Sequence, residues 1–122
     1  MKTIKALFII AFAVTITSAA KAQNYNYKLD GPFTATKTFK VSGTCVMCER
    51  RIENAIKTLP GVWSSYWDVN SHTLRVTYDK LKLNTDKIEQ QIAAVGHDTE
   101  KFKAPDEAYT KLPDCCHYPR KS

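Results

Sequence analysis

The chain has 122 residues, which is enough for a single domain with a small core. Its 18 basic and 12 acidic residues give a net charge of +6, but Lys2, Lys5 and Lys21 lie in a predicted signal peptide, without which the charge is +3. So small a charge, with no basic stripe interleaved with aromatic residues, argues against a nucleic-acid-binding protein.

The first 22 residues have the pattern of a secretory signal peptide. Two lysines near the start precede an apolar run over residues 6–16, which is short for a membrane span. Ala20-Lys21-Ala22 matches the small-residue rule for cleavage, and a cut after Ala20 is the alternative. We therefore expect a periplasmic protein with no stable membrane insertion after cleavage. An N-terminal membrane anchor is the competing interpretation.

The rest of the chain divides into a leader, a domain and a tail. Residues 23–32 are polar and rich in turn-forming residues, which predicts a flexible leader. The domain is predicted over residues 33–103 and the tail over residues 104–122. A short helical turn early in the tail would pack Tyr109 and Leu112 onto the domain.

The domain is predicted to contain four strands and two helices. Apolar alternation predicts the strands, which cover residues 33–41, 62–68, 73–79 and 97–103. A helix over residues 47–59 has apolar residues at i, i+3, i+4 and i+7 and ends at Pro60-Gly61. A second helix begins at Asn84 or Thr85 and ends at Gly96. The order β-α-β-β-α-β is typical of the α+β ferredoxin-like fold, with a four-stranded antiparallel sheet and two helices on one face.

Three aromatic residues lie in the second predicted strand, which forms a hairpin with the third. Strict alternation places Trp63 and Trp67 on one face of this strand and Tyr66 on the other. We interpret them as sheet-face or core residues, and a docking patch for a partner is the alternative.

Two cysteines, Cys45 and Cys48, lie between the first predicted strand and the first helix. At the start of a helix, the free backbone N–H groups and the helix dipole favour thiolate over thiol. Two thiolates close together on a loop suit a soft ion such as Cu(I), Hg(II) or Zn(II).

Around this pair the sequence resembles the heavy-metal-associated domain of copper chaperones, metal-transporting ATPases and the periplasmic mercury-binding protein. Thr44-Cys45-Val46-Met47-Cys48 matches the family's T-C-x-x-C, and Arg51-Ile52-Glu53 matches its helix start. The resemblance covers residues 37–103. Where the family has Gly-Met before T-C, this chain has Ser42-Gly43. Because that methionine normally packs under the loop, its absence predicts a more flexible loop.

The resemblance implies that Cys45 and Cys48 bind Cu(I) in a near-linear, two-coordinate geometry. It also implies transfer of the ion to a metal-transport or metal-accepting protein that docks at the cysteine loop. A monomer or a metal-bridged dimer agrees with this function. The resemblance further places His97 beside the metal loop, as a third ligand, a pH-sensitive neighbour or an ordinary loop histidine.

The tail contains a second group of soft ligands, Cys115, Cys116 and His117, outside the resemblance. Adjacent cysteines rarely form a disulfide with each other because the geometry is strained. The tail thiols could join the Cys45 and Cys48 site, form a second metal site, or enter a disulfide. We favour a metal role because soft ligands are so dense here.

The main functional prediction is an exported, non-enzymatic protein that carries or buffers a heavy metal. A thiol–disulfide oxidoreductase would also place C-x-x-C at a helix start. The order of elements and the missing aromatic and proline signature around the pair oppose that alternative. A structural zinc site using all four cysteines is a third hypothesis, in which the metal would be part of the fold.

Overall fold

The computed structural model describes residues 32–120. The predicted signal peptide over residues 1–22 and all but the last residue of the predicted leader over residues 23–32 lie outside the described residues. The strands in the described part of the chain are β1 (Thr34–Lys40), β2 (Val62–Asp68) and β3 (Thr73–Asp79). The helices there are α1 (Val46–Lys57), α2 (Thr85–Ala94) and α3 (Asp106–Thr110), and a 3₁₀ turn follows over Asp114–Cys116.

The strands form one antiparallel sheet in the order β1-β3-β2, and β2 and β3 form the predicted hairpin. Thr73 of the central strand β3 pairs with Lys40 of β1 and with Asp68 of β2. The end of β1, where the cysteine loop begins, is therefore held beside the end of the hairpin. Helix α1 packs against β2 and α2. The core between sheet and helices includes Phe39, Val41, Ile52, Ile56, Trp67, Leu74, Val76, Ile88 and Ile92.

Local sequence signals explain the buried face of α1 and the two ends of α2. Ile52 and Ile56 lie one turn apart on α1 and are fully buried, as the apolar periodicity predicts. Asn84 caps α2, since its side-chain oxygen accepts a hydrogen bond from the N–H of Lys87 at 2.9 Å. Gly96 follows α2 with a φ of 109°, a conformation that favours glycine and ends the helix.

The fourth strand predicted over residues 97–103 is wrong. In the described residues this segment forms only an isolated bridge, between Thr99 and Val41, the residue after β1. The segment instead turns on itself, because the N–H of Thr99 donates to the carbonyl of Phe102 at 2.8 Å. The buried carboxylate of Glu89 holds the turn by accepting from the Thr99 hydroxyl at 2.8 Å and the Lys101 N–H at 3.1 Å.

The prediction that Trp63 and Trp67 share a face of the second strand is also wrong. The register of β2 against β3 shifts between Val62 and Ser64, which makes Trp63 the extra residue of a bulge. A one-residue slip moves a side chain to the other face. Trp67 is therefore fully buried, whereas Trp63 is 59% exposed.

The tail packs onto the domain through the helical turn that the sequence predicts. Helix α3 covers five residues, and Leu112 just after it joins the core, with Tyr109 packed against the core from outside. Gly96 makes this docking feasible, since a Cβ at that position would lie 2.8 Å from the carbonyl oxygen of Ala108. Among residues 32–120, no helix has the length and apolar character needed to cross a membrane.

Candidate metal centre

The cysteine loop leaves the sheet at the end of β1 and enters α1 through Cys45. The N–H of Val41 donates to the His72 carbonyl at 2.9 Å, and the N–H of Ser42 donates to the Asp98 carbonyl at 2.8 Å. Cys45 is the N-cap residue, with an extended backbone and no capping hydrogen bond from its side chain. Its thiol therefore lies where the dipole of the 12-residue α1 favours a negative charge.

The indole of Trp67 fills the space under this loop. A Cβ at Gly43 would lie 2.9 Å from the indole ring and 3.0 Å from the Cβ of Cys48. The indole N–H donates to the carbonyl of Val41 at 3.0 Å, which fixes the ring beneath the loop. The sequence predicted a more flexible loop for lack of a methionine, but the structure places a larger side chain from β2 in contact with it.

Four thiols meet at the loop, because the 3₁₀ turn of the tail brings Cys115 and Cys116 beside Cys45 and Cys48. The shortest contacts join the loop to the tail: the sulfurs of Cys45 and Cys115 lie 2.7 Å apart, as do those of Cys48 and Cys116. Cys45 Sγ lies 3.5 Å from Cys48 Sγ and 3.6 Å from Cys116 Sγ. The two tail sulfurs are 4.0 Å apart, and all four cysteines are free thiols.

The centre has a buried side and an open side. Cys48 and Cys116 are 0% exposed and belong to the hydrophobic core. Cys45 is half-buried and Cys115 is exposed. The cysteine loop is therefore partly accessible to solvent at Cys45 but not at Cys48. An ion or a partner's thiolate would reach Cys45 and Cys115 first.

Tyr118 fixes the tail in this position from behind the cysteines. Its buried hydroxyl accepts from the N–H of Asp98 and donates to the carbonyl of Gly96, both at 2.8 Å. The hydroxyl of Tyr109 donates to the carbonyl of Tyr118 at 2.7 Å. Because these bonds join the tail to the end of α2, the two tail thiols have a defined place over the loop.

Arg120 and Thr44 complete the attachment of the tail. Arg120 forms a bidentate pair with Asp98, with N···O distances of 2.8 and 3.2 Å, and donates to Asp106 at 2.8 Å. On the loop side, the hydroxyl of Thr44 donates to the carbonyl of Cys115. A residue of the T-C-x-x-C motif thus holds the turn that presents the tail cysteines.

The crowding of thiols separates their pKa values. Burial raises the pKa of Cys45, but hydrogen bonds to its sulfur outweigh this effect and lower the pKa to about 6. They come from the Cys115 thiol, the Cys48 N–H and the thiols of Cys48 and Cys116. The pKa of Cys115 is raised, since its thiol hydrogen-bonds to Cys45 and is desolvated. Burial and the neighbouring thiols of Cys48 and Cys45 raise the pKa of Cys116. Without metal, Cys45 is a thiolate at neutral pH beside protonated tail thiols.

Reduced, metal-free protein should therefore show a thiolate absorbance that appears with a midpoint near pH 6. Since the folded pKa of Cys45 lies below its ordinary value, the folded state binds fewer protons between the two values. The free energy of unfolding should rise with pH across that interval, and the contribution should be lost as pH falls through about 6. Cys45→Ser should lack both effects. A first transition only near the ordinary thiol pKa of about 8.5 would contradict the assignment.

The histidines lie outside the group of sulfur ligands. His97 is fully buried, its Nδ1 lies 2.8 Å from the Ser42 carbonyl, and its ring stacks on Tyr118 at 6.0 Å. Burial lowers the pKa of His97, so the ring is a neutral packing residue between loop and tail. His117 is exposed and lies against the ring of Tyr109 at 5.2 Å. The geometry gives no support to either histidine as a ligand.

Sequence reasoning missed the residues that position the thiols, namely Thr44, Trp67, Asp98, Tyr118 and Arg120. Their roles depend on contacts between segments distant in sequence, which periodicity does not report. One signal was available for Tyr118: like Tyr109, which the sequence already places against the domain, it is an aromatic residue close to the tail cysteines, and this is typical of a tail that packs rather than one that stays in solvent.

The family model of the heavy-metal-associated domain matches residues 38–98, which is half of the chain. The match includes the loop cysteines, β2, β3 and α2, and it ends before the tail. Cys115 and Cys116 therefore lie outside the part of this chain that the family describes.

Two curated relatives each match about half of the chain. A copper-exporting P-type ATPase of Bacillus subtilis is 35% identical over 66 residues, which are 53% of this chain but only 8% of the ATPase. The copper chaperone CopZ of Staphylococcus haemolyticus is 29% identical over 65 residues, which are 52% of this chain and 96% of the chaperone. The similar region thus makes up almost all of the chaperone but only a small part of the ATPase.

Solved structures agree on the fold. The N-terminal soluble domains of Bacillus subtilis CopA superpose with a TM-score of 0.51 at 32% identity, covering 53% of this chain and 45% of that one. A CopZ metallochaperone superposes with a TM-score of 0.52 at 24% identity, covering 53% of this chain and 98% of that one.

Proposed function

The chain belongs to the heavy-metal-associated domain family, and from that membership we propose that it binds a soft metal ion through Cys45 and Cys48 and carries or buffers it. The observation on which this rests is the pair of sulfurs 3.5 Å apart at the start of α1. Cu(I) is the ion we propose first, since the related chaperone and ATPase are named for copper. Hg(II) and Zn(II) are the alternatives.

The chemistry of the pair supports this proposal. Cu(I) prefers soft thiolate ligands, and Cys45 is already a thiolate near neutral pH. Cys45 is half-buried on the open side of the centre, which lets a partner's thiolate approach the ion without unfolding the domain. We propose that the partner is a metal-transport or metal-accepting protein that docks at this loop, and that residues 1–22 direct export to the periplasm.

Anaerobic titration of the reduced protein with Cu(I), Zn(II) and Hg(II), followed by native mass spectrometry, tests the metal assignment. We expect at least one Cu(I) per chain, retained against a strong competing chelator. Release of all Cu(I) to the chelator would refute a copper carrier. The mass of the protein in a periplasmic extract tests export, since it should correspond to a chain beginning after Ala22 or Ala20.

The proposed carrier does not catalyse a reaction, which separates it from a thiol–disulfide oxidoreductase. Both loop thiols contact tail thiols at 2.7 Å, so a substrate disulfide would have to displace the tail before it could react with the pair. We expect insulin reduction far slower than by thioredoxin. Comparable turnover would favour the oxidoreductase.

A further inference from the structure

We propose that Cys115 and Cys116 complete a four-thiolate centre with Cys45 and Cys48, and that this centre encloses one tetrahedral thiophilic ion of the Zn(II) class. The inference rests on the proposed function, since the loop pair provides half of the ligands. It goes further by assigning two ligands that lie beyond the family match over residues 38–98. It also implies that the tail thiols slow the release of the ion, so that the protein stores metal rather than transferring it rapidly.

The distances between the sulfurs agree with one ion of this kind. A tetrahedral centre with Zn–S bonds of about 2.3 Å has sulfurs about 3.8 Å apart. Three of the separations, 3.5, 3.6 and 4.0 Å, are already close to that value. The sulfurs of Cys45, Cys115 and Cys116 lie within 4.8 Å of one another, and Cys48 joins this group through its contacts with Cys45 and Cys116. The two loop-to-tail contacts of 2.7 Å would have to widen by about 1 Å, which small side-chain rotations permit. Two ions would require the sulfurs to spread around two centres.

The fixed position of the tail is the second support. Metal sites are strong when the ligands are already held in place by surrounding contacts. Cys116 is part of the core, and Thr44 binds the carbonyl of Cys115. Tyr118 fixes the chain just after the two cysteines with two hydrogen bonds of 2.8 Å. The tail thiols are therefore positioned before any ion binds.

Local charge also favours the centre. Four thiolates around a divalent ion leave two negative charges, which need compensation. The sulfurs lie at the N-terminus of α1, where the helix dipole is positive. The N–H of Thr44 donates to Cys48 Sγ at 3.4 Å, as backbone groups do around bound thiolates. The buried side at Cys48 and Cys116 excludes water, while the exposed Cys115 leaves a route of entry.

The test compares Co(II), a spectroscopic substitute for Zn(II), in the wild type and in Cys115→Ser/Cys116→Ser. Wild type should give the intense visible bands of tetrahedral sulfur coordination, and the double variant should lose them. Zn(II) affinity of the variant should fall by more than the roughly 10- to 100-fold that loss of an outer-shell partner costs. The variant should still bind one Cu(I) through the loop pair.

Two further variants keep the test decisive. Cys116 is buried, so the double variant could misfold, whereas Cys115 is exposed and Cys115→Ser alone should keep the fold and weaken the Co(II) bands. His117→Ser is the matched control, since His117 is the exposed neighbour outside the sulfur group, and its spectrum should equal that of wild type.

The outcomes separate the two proposals. Identical Co(II) spectra and Zn(II) affinities in wild type and both cysteine variants would overturn the four-thiolate centre and leave the Cu(I) carrier intact. Failure of wild type to bind Cu(I) would overturn the proposed carrier, while four-sulfur Co(II) bands in the same protein would still support the centre as a zinc site.

Discussion

Cys45→Ser should abolish tight Cu(I) binding when it is introduced into the Cys115→Ser/Cys116→Ser background. That background matters because Cys48 and Cys116 lie 2.7 Å apart and could otherwise hold the ion in place of the loop pair. With both tail thiols removed, one thiolate remains, and linear coordination needs two. We expect affinity to fall at least about a thousandfold, or roughly 4 kcal/mol. Competition with a Cu(I) chelator measures it.

Cys48→Ser in the same background should lose Cu(I) equally but differ in stability. At a pH below about 6, where the Cys45 thiol is protonated in both states, replacement of this half-buried residue should change the free energy of unfolding by no more than about 0.5 kcal/mol. Cys48 is fully buried in the core, and a hydroxyl there should cost about 1–3 kcal/mol. Urea unfolding measures both values. Tight Cu(I) binding by either variant would refute the assignment of the loop pair.

The contrast between these two cysteines shows what local sequence can and cannot reveal about the site. The T-C-x-x-C pattern and the helical periodicity after it are local, and they predict both the loop and the start of α1. The contact of Cys48 with Cys116 joins residues that are 68 positions apart. Spacing alone could not decide between a joined site, a separate site and a disulfide for the tail thiols, because their position depends on Tyr118 and Arg120 binding the segment after α2.

The same difference between local patterns and long-range contacts explains which parts of the fold could be predicted. Alternation gave the bounds of β2 and β3 because the pattern of side chains along a strand is local. Alternation wrongly predicted a strand over residues 97–103. There the buried carboxylate of Glu89 on α2 accepts hydrogen bonds from the Thr99 hydroxyl and the Lys101 N–H, which favours a turn. Alternation failed again at Trp63, because one extra residue in β2 reverses the facing that strict alternation assigns.

Trp67→Ala should be the most destabilising single substitution considered for this protein. The indole is fully buried, supports Gly43 from below, and donates to Val41. Loss of so large a side chain from a core costs about 3–5 kcal/mol, a large part of the 5–15 kcal/mol that stabilises a typical domain. Trp63→Ala is the matched control in the same strand, since Trp63 is 59% exposed and should cost about 0.5 kcal/mol or less. Urea unfolding followed by circular dichroism measures both.

Gly43→Met tests whether the indole occupies the space in which the family's methionine packs. Alone, the substitution should destabilise the protein by about 1–3 kcal/mol, since even a Cβ would lie 2.9 Å from the Trp67 ring. Combined with Trp67→Ala, the methionine can enter the cavity that the indole leaves. The double variant should then be more stable than the sum of the single effects predicts, with a coupling of about 0.5–3 kcal/mol. Simple additivity would show that the two side chains do not compete for one space, and the support of the metal loop by β2 would need another explanation.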